Sequence, residues 1–182
     1  MAPQESQNGP AQAVNPFSPE DVAGILRERG WLVGEPSEGH VAWCEHAAAI
    51  LGMHASDRAA LANLMNLVFH YNASEILALA ENQAVMSRYA ARDVLRRLGL
   101  LLLEGGPLTS DRFKEIIDQL KAELDIRGRE LFHPIRLALA GRAGEGELDR
   151  VILLLDEAAA LPFAIPVKSA RERILEFCAA LD

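Results

Sequence analysis

At 182 residues the chain can bury one hydrophobic core or two small ones, and half of its residues are hydrophobic, with Ala and Leu dominant, which favours helices. The formal net charge of −8 argues against tight, nonspecific binding to nucleic-acid phosphates by the chain as a whole, while leaving room for a local basic face. The start lacks a basic then apolar leader, and the longest apolar run, residues 98–103, is interrupted by Gly99 and too short to span a bilayer. A cytoplasmic protein with two free thiols, Cys44 and Cys178, and no membrane partner is the expectation.

Residues 1–17 are rich in Pro, Gln, Asn and Ala and read as a tail that is flexible or draped on the surface. Ser18-Pro19-Glu20-Asp21 is a helix start, with Ser18 as N-cap, and that helix buries Val22, Ile25 and Leu26 before stopping near Gly30. A second helix is predicted over residues 40–53, and a third follows the Ser56-Asp57 cap with Leu61, Leu64, Met65 and Val68 on one face. A short fourth begins at Ser74-Glu75. A long fifth is predicted over residues 83–102, carrying Arg88, Arg92 and Arg96 as a stripe at four-residue spacing. Gly105-Gly106-Pro107 is the clearest breakpoint and divides residues 18–106 from residues 107–182.

After it, Thr109-Ser110-Asp111 caps a helix with Phe113, Ile116, Ile117, Leu120 and Leu124 inward. A short helix follows between Pro134, at its first turn, and Gly141, where the chain can turn left-handed; Phe132 precedes it as a staple. Residues 147–159 form another helix, residues 161–167 are extended around Pro162 and Pro166, and Ser169 caps a last helix with Ile174, Leu175 and Cys178 inward. No segment has strand periodicity. The chain reads as all-α, two small helical bundles in series.

His40, Cys44, His46 and His54 are the one grouping of metal-ligand residue types. His40 and Cys44 share a helix face, His46 points elsewhere, and no second Cys pair closes a tetrahedral site, so neither metal nor cofactor is expected. Residues 141–146 are Gly-rich but follow a helix and lack a Lys-Ser/Thr, so phosphate-loop spacings fail. No nucleophile elbow or His-Glu-x-x-His helix is present. Two basic features remain: the Arg88, Arg92 and Arg96 stripe, with Arg97 beside it, and a cluster of Lys121, Arg127, Arg129 and Arg136 beside Phe132 and His133. Arginines beside stackable rings suit the phosphates and splayed bases of single-stranded RNA. The competing assignment pairs Arg136 with a neighbouring carboxylate and puts Phe132 in the core.

The run Phe132-His133-Pro134-Ile135-Arg136-Leu137-Ala138-Leu139-Ala140-Gly141 resembles a signature late in bacterial glutamyl-tRNA synthetases, in their helical anticodon-binding region. The stretch from Trp43-Cys44-Glu45-His46 through Arg58 and Leu61 to Val68-Phe69 is similar to the run opening that region. Arg112-Phe113-Lys114 onward is similar to the helix before the signature, and residues 169–181, with Arg173 and Leu175, to the terminal helix. This chain has Ala140 where the family usually has Thr, Gly144-Glu145-Gly146 where it has Gly-Pro, and a longer segment over residues 161–167. The synthetase's nucleotide-binding motifs have no counterpart here, so the resemblance implies a free-standing, non-catalytic relative of the class I anticodon-binding domain.

Two functions follow as expectations. The first is a module binding tRNA or another structured RNA, with no DNA partner, through Arg136, His133, Phe132, Arg129, Arg127, Arg142, Lys121, Arg92 and Arg96. The second is a helical interaction module that kept the fold, lost the RNA, and binds a protein partner or a second copy, with an exposed apolar patch over residues 161–167.

Overall fold

The computed structural model describes residues 14–182, and every regular element among them is helical. Of the expected tail, residues 1–13 lie outside the described residues. Asn15 is held in place, its Nδ2 donating to the Ala48 carbonyl at 2.7 Å, and Phe17 packs against the core.

Helix α1 (Pro19–Glu28) starts with a reciprocal cap: Ser18 accepts from the Asp21 N–H while Asp21 accepts from the Ser18 N–H. It packs along α2 (Glu38–Leu51), whose cap is Ser37 with His40 in the reciprocal position. Asp57 caps α3 (Arg58–Phe69), and Asn72 caps the short α4 (Ala73–Ala78). Trp31, Trp43, Phe69 and Phe163 then form an aromatic cluster, with Trp31 stacked on Phe69 at 4.4 Å and Phe163 edge-on to Phe69 and Trp43. Phe163 belongs to the stretch expected to be an exposed apolar patch. That stretch instead contributes Phe163 and the buried Val167 to the interior, and leaves Ile165 outside.

The predicted fifth helix is two helices, α5 (Ala80–Met86) and α6 (Ala91–Leu103). The break falls at residues 87–90, where no Gly or Pro announces it. The Ser87 hydroxyl donates to the Ala84 carbonyl and the Arg88 N–H reaches the Val85 carbonyl, so the turn tightens and closes. Turning there lets α6 lie against both α8 (Arg129–Ala140) and α11 (Ala170–Leu181). Arg88 therefore leaves the stripe, and only Arg92 and Arg96 share a face of α6.

Thr109 caps α7 (Ser110–Leu124), which ends with Asp125 left-handed. The signature helix α8 begins five residues earlier than its Pro134 suggested, so Pro134 stands inside it and Phe132 and His133 are helical. The bond Pro134 cannot make would have used the carbonyl of Glu130, an exposed first-turn residue that water can serve. Gly128, at φ +61°, turns the chain into α8, and Gly141, at φ +83°, turns it out.

The helix expected over residues 147–159 is also two, α9 (Glu147–Ile152) and α10 (Leu155–Ala159). Trp43 Nε1 donates to the Leu154 carbonyl in the kink between them, at 3.2 Å. Asp156 on α10 accepts from the Leu108 N–H and the Ala170 N–H, which ties the entry of α7 to the first turn of α11. Ser169 caps α11. The inward face of α11 is Arg173, Ile174 and Phe177, whereas Leu175, expected inside, is half exposed.

Buried side chains from both sides of Gly105-Gly106-Pro107 belong to one continuous hydrophobic cluster. Its most buried charge is Arg173, with no exposed surface. Its guanidinium donates to the carbonyls of Leu67 and Val68 at the end of α3, Leu139 at the end of α8, and Lys168. The Leu67, Val68 and Leu139 carbonyls are helix carbonyls at or near negative dipole ends, so the cation is held by partial charges rather than by a carboxylate. It lies 4.6 Å from the centre of the Tyr71 ring, whose hydroxyl donates to the Ala138 carbonyl. Burial pulls the Arg173 guanidinium down to about 10, leaving it charged at neutral pH.

Candidate nucleic-acid interface

The predicted residues divide into a group built into the fold and a group left at its surface. Arg136 belongs to the first. It is 9 % exposed, grips both carboxylate oxygens of Asp149 at 2.9 Å and donates to the Gly144 carbonyl at 2.8 Å. Its guanidinium also stacks on Phe132 at 4.6 Å. One side chain thus closes the Gly-rich turn between α8 and α9. Phe132 is half-buried, and Lys121 from α7 lies 5.7 Å from the centre of its ring.

His133, one residue on, faces a different environment. Its Nδ1 accepts from the Arg88 guanidinium at 3.1 Å, which leaves the ring proton on Nε2. Burial first, then the charges of Arg88, Arg129 and Arg136, hold the imidazole below its ordinary value; Glu145 opposes them weakly. His133 therefore contacts one guanidinium directly, that of Arg88, and feels the charges of two more. Arg88 spends its contact on that ring and meets no carboxylate among the described residues.

Arg127, Arg129 and Arg142 are exposed, and none forms an ion pair with a described residue. The two stripe residues, Arg92 and Arg96, are exposed as well. Arg92 lines an open groove of about 510 Å³ together with Arg88, Tyr89, Met86 and Leu181. Arg96 lies at a smaller groove beside Cys178 and Asp182. Arg97, adjacent to the stripe, is committed elsewhere: it makes a two-pronged pair with Glu123 of α7 and holds that carboxyl down to about 2.

The histidines and cysteine near the start of α2 separate. His40 Nδ1 completes the Ser37 cap, His46 pairs with Glu157, and Cys44 is buried with its thiol pushed up to about 11 by desolvation. Sequence reasoning passed over four residues: Arg88 as the partner of His133, Tyr89, and the pair Tyr71 and Arg173. Arg173 stands among Arg171, Glu172 and Glu176 on α11, so its burial had no local signal of the kind that singled out Arg136.

Comparison with known proteins agrees with the helical architecture. Residues 12–161 match the family model described as the anticodon binding domain. Over 74 residues the chain is 35 % identical to glutamate–tRNA ligase 2 of Syntrophus aciditrophicus (strain SB), covering 41 % of this chain. Over 81 residues it is 32 % identical to the glutamate–tRNA ligase of Heliobacterium modesticaldum (strain ATCC 51547 / Ice1), covering 44 % of this chain. The matched parts amount to 15 % and 16 % of those two ligases. No solved structure matches the chain. No helix among the described residues is long and apolar enough to cross a membrane. With the model covering more than four-fifths of its length, from the tail before α1 to the turn after α10, this chain belongs to the anticodon-binding domain family.

Proposed function

We propose that this chain is a cytoplasmic, non-catalytic module that holds a tRNA anticodon arm, or a similar RNA loop, against the N-terminal half of α8 and the turn between α5 and α6. The observation that carries it is the set of guanidiniums around His133: Arg88 and Arg129 carry charge that no described carboxylate neutralises, in a chain whose net charge is −8. Arg127 and Arg142 extend that surface for phosphate contacts. Arg136 and Phe132 take a supporting role, fixing the turn on which Arg142 stands.

The test is filter binding of total tRNA, including tRNA for glutamate, and of a set of anticodon stem-loops, at low and moderate salt. Arg129→Ala and Arg88→Ala each weaken binding and lower the log–log salt slope by about one unit. No binding at low salt, where electrostatic affinity is greatest, overturns the proposal.

A protein-interaction module is the second reading. Supporting it, the Ala164 N–H bond to the Trp31 carbonyl joins two loops that carry the exposed apolar side chains Val33 and Ile165. Light scattering that finds a dimer, dispersed by Val33→Glu, together with absent tRNA binding, favours that reading.

A further inference from the structure

Tyr89 is the most exposed large hydrophobic side chain among the described residues, in the turn between α5 and α6. An aromatic ring left wholly in water contributes no burial to folding; Arg88 precedes Tyr89 and Arg92 follows it three residues on. It borders the groove of about 510 Å³, whose apolar lining comes from Leu77, Met86 and Leu181 and whose charged lining is Arg88 and Arg92. No carboxylate lines that groove, although acids outnumber bases in the chain by 26 to 18. An exposed π-face, an apolar recess and two cations without an ion pair among the described residues together match one chemistry: a planar base with phosphates on either side.

We propose that Tyr89 is a base-stacking residue: an unpaired base of the bound RNA lies on its ring, with Arg88 and Arg92 on the flanking phosphates. The assignment presupposes the RNA binding proposed for this chain and adds to it a second contact region, continuous with the first through the Arg88–His133 hydrogen bond. Arg88 then serves both regions, and the RNA strand runs from α8 across the α5–α6 turn.

The test compares wild type, Tyr89→Ala, Tyr89→Trp and Arg92→Ala for binding to an anticodon stem-loop and to a polyuridine oligonucleotide across a salt series. Because Tyr89 is fully exposed, its replacement leaves the fold intact, which circular dichroism checks. Tyr89→Ala is expected to weaken binding roughly ten-fold with the salt slope unchanged, Tyr89→Trp to bind at least as well as wild type, and Arg92→Ala to lower the slope by about one unit. A stem-loop carrying 4-thiouridine is expected to cross-link to the peptide containing Tyr89. If Tyr89→Ala binds as wild type does while Arg129→Ala is weakened, the stacking assignment is wrong and RNA binding through α8 stands. If wild type binds neither probe, both proposals fall. If Tyr89→Ala instead dissolves a dimer of the protein, the groove is a contact between copies and the assignment is overturned.

Discussion

Arg136 and His133 are three positions apart and do opposite things with their charge. Arg136 is paired with Asp149 and the Gly144 carbonyl inside the fold. Replacing it by Ala strands a largely buried carboxylate, so Arg136→Ala is expected to lose about 2–3 kcal/mol in urea denaturation. Any loss of RNA affinity in that variant follows from loosening of the 141–146 turn, so its salt slope stays near wild type. An unchanged denaturation midpoint would contradict this. Burial, then the charges of Arg88, Arg129 and Arg136, hold the His133 imidazole below its ordinary value and so disfavour its protonation. A phosphate arriving among those guanidiniums offsets their repulsion and favours the imidazolium, so binding takes up a proton. RNA affinity should therefore rise several-fold as pH falls from about 8 to about 6, and His133→Gln should flatten that profile. An equal pH dependence in His133→Gln would exclude this histidine as the titrating group. The sequence supplied residue types here but not their partners. Asp149 lies thirteen residues from Arg136 and Arg88 forty-five from His133, and separations of that kind are set by packing, not by local pattern.

Among the elements, starts were more legible than breaks. Ser18, Asp57, Thr109 and Ser169 cap their helices where a hydroxyl or carboxylate precedes a periodic apolar run. The breaks at residues 87–90 and 153–154 carry no Gly or Pro, and the apolar periodicity continues through them. They exist because neighbouring helices need the direction change, which is tertiary information. Pro134 misled in the opposite sense: it resembles a first-turn proline, but the glycine six residues earlier is the actual helix entry. The kink between α9 and α10 places Asp156 where it serves two otherwise unpaired backbone N–H groups, Leu108 and Ala170. Asp156→Ala is expected to cost about 2 kcal/mol, and hydrogen exchange should quicken first at Leu108 and Ala170. Protection unchanged at both amides would mean that water replaces the carboxylate without loss.

For the whole molecule, composition set an acidic, helical chain, and only folding could bring the charges of Arg88 and Arg129 to bear on His133. What unites the chain most directly is Arg173, whose guanidinium reaches carbonyls at the ends of α3 and α8 and the Lys168 carbonyl before its own helix. Arg173→Ala removes the common donor from four carbonyls, two buried and two part-buried, and is expected to destabilise by about 3–5 kcal/mol, a large fraction of a domain's typical stability. Arg173→Lys should recover little, since an ammonium cannot present a planar fork to diverging acceptors. The same connectivity bears on the division at Gly105-Gly106-Pro107. Helices from before it, α4 and α6, pack on α8 and α11 from after it, through one continuous core. Urea unfolding should then be a single transition, with tryptophan fluorescence, which reports Trp31 and Trp43, and far-ultraviolet dichroism coinciding. Arg173→Ala should move both curves together. Two separated transitions, with the fluorescence change confined to one, would instead establish residues 18–106 and 107–182 as independent folding units, joined by a contact that Arg173 does not govern.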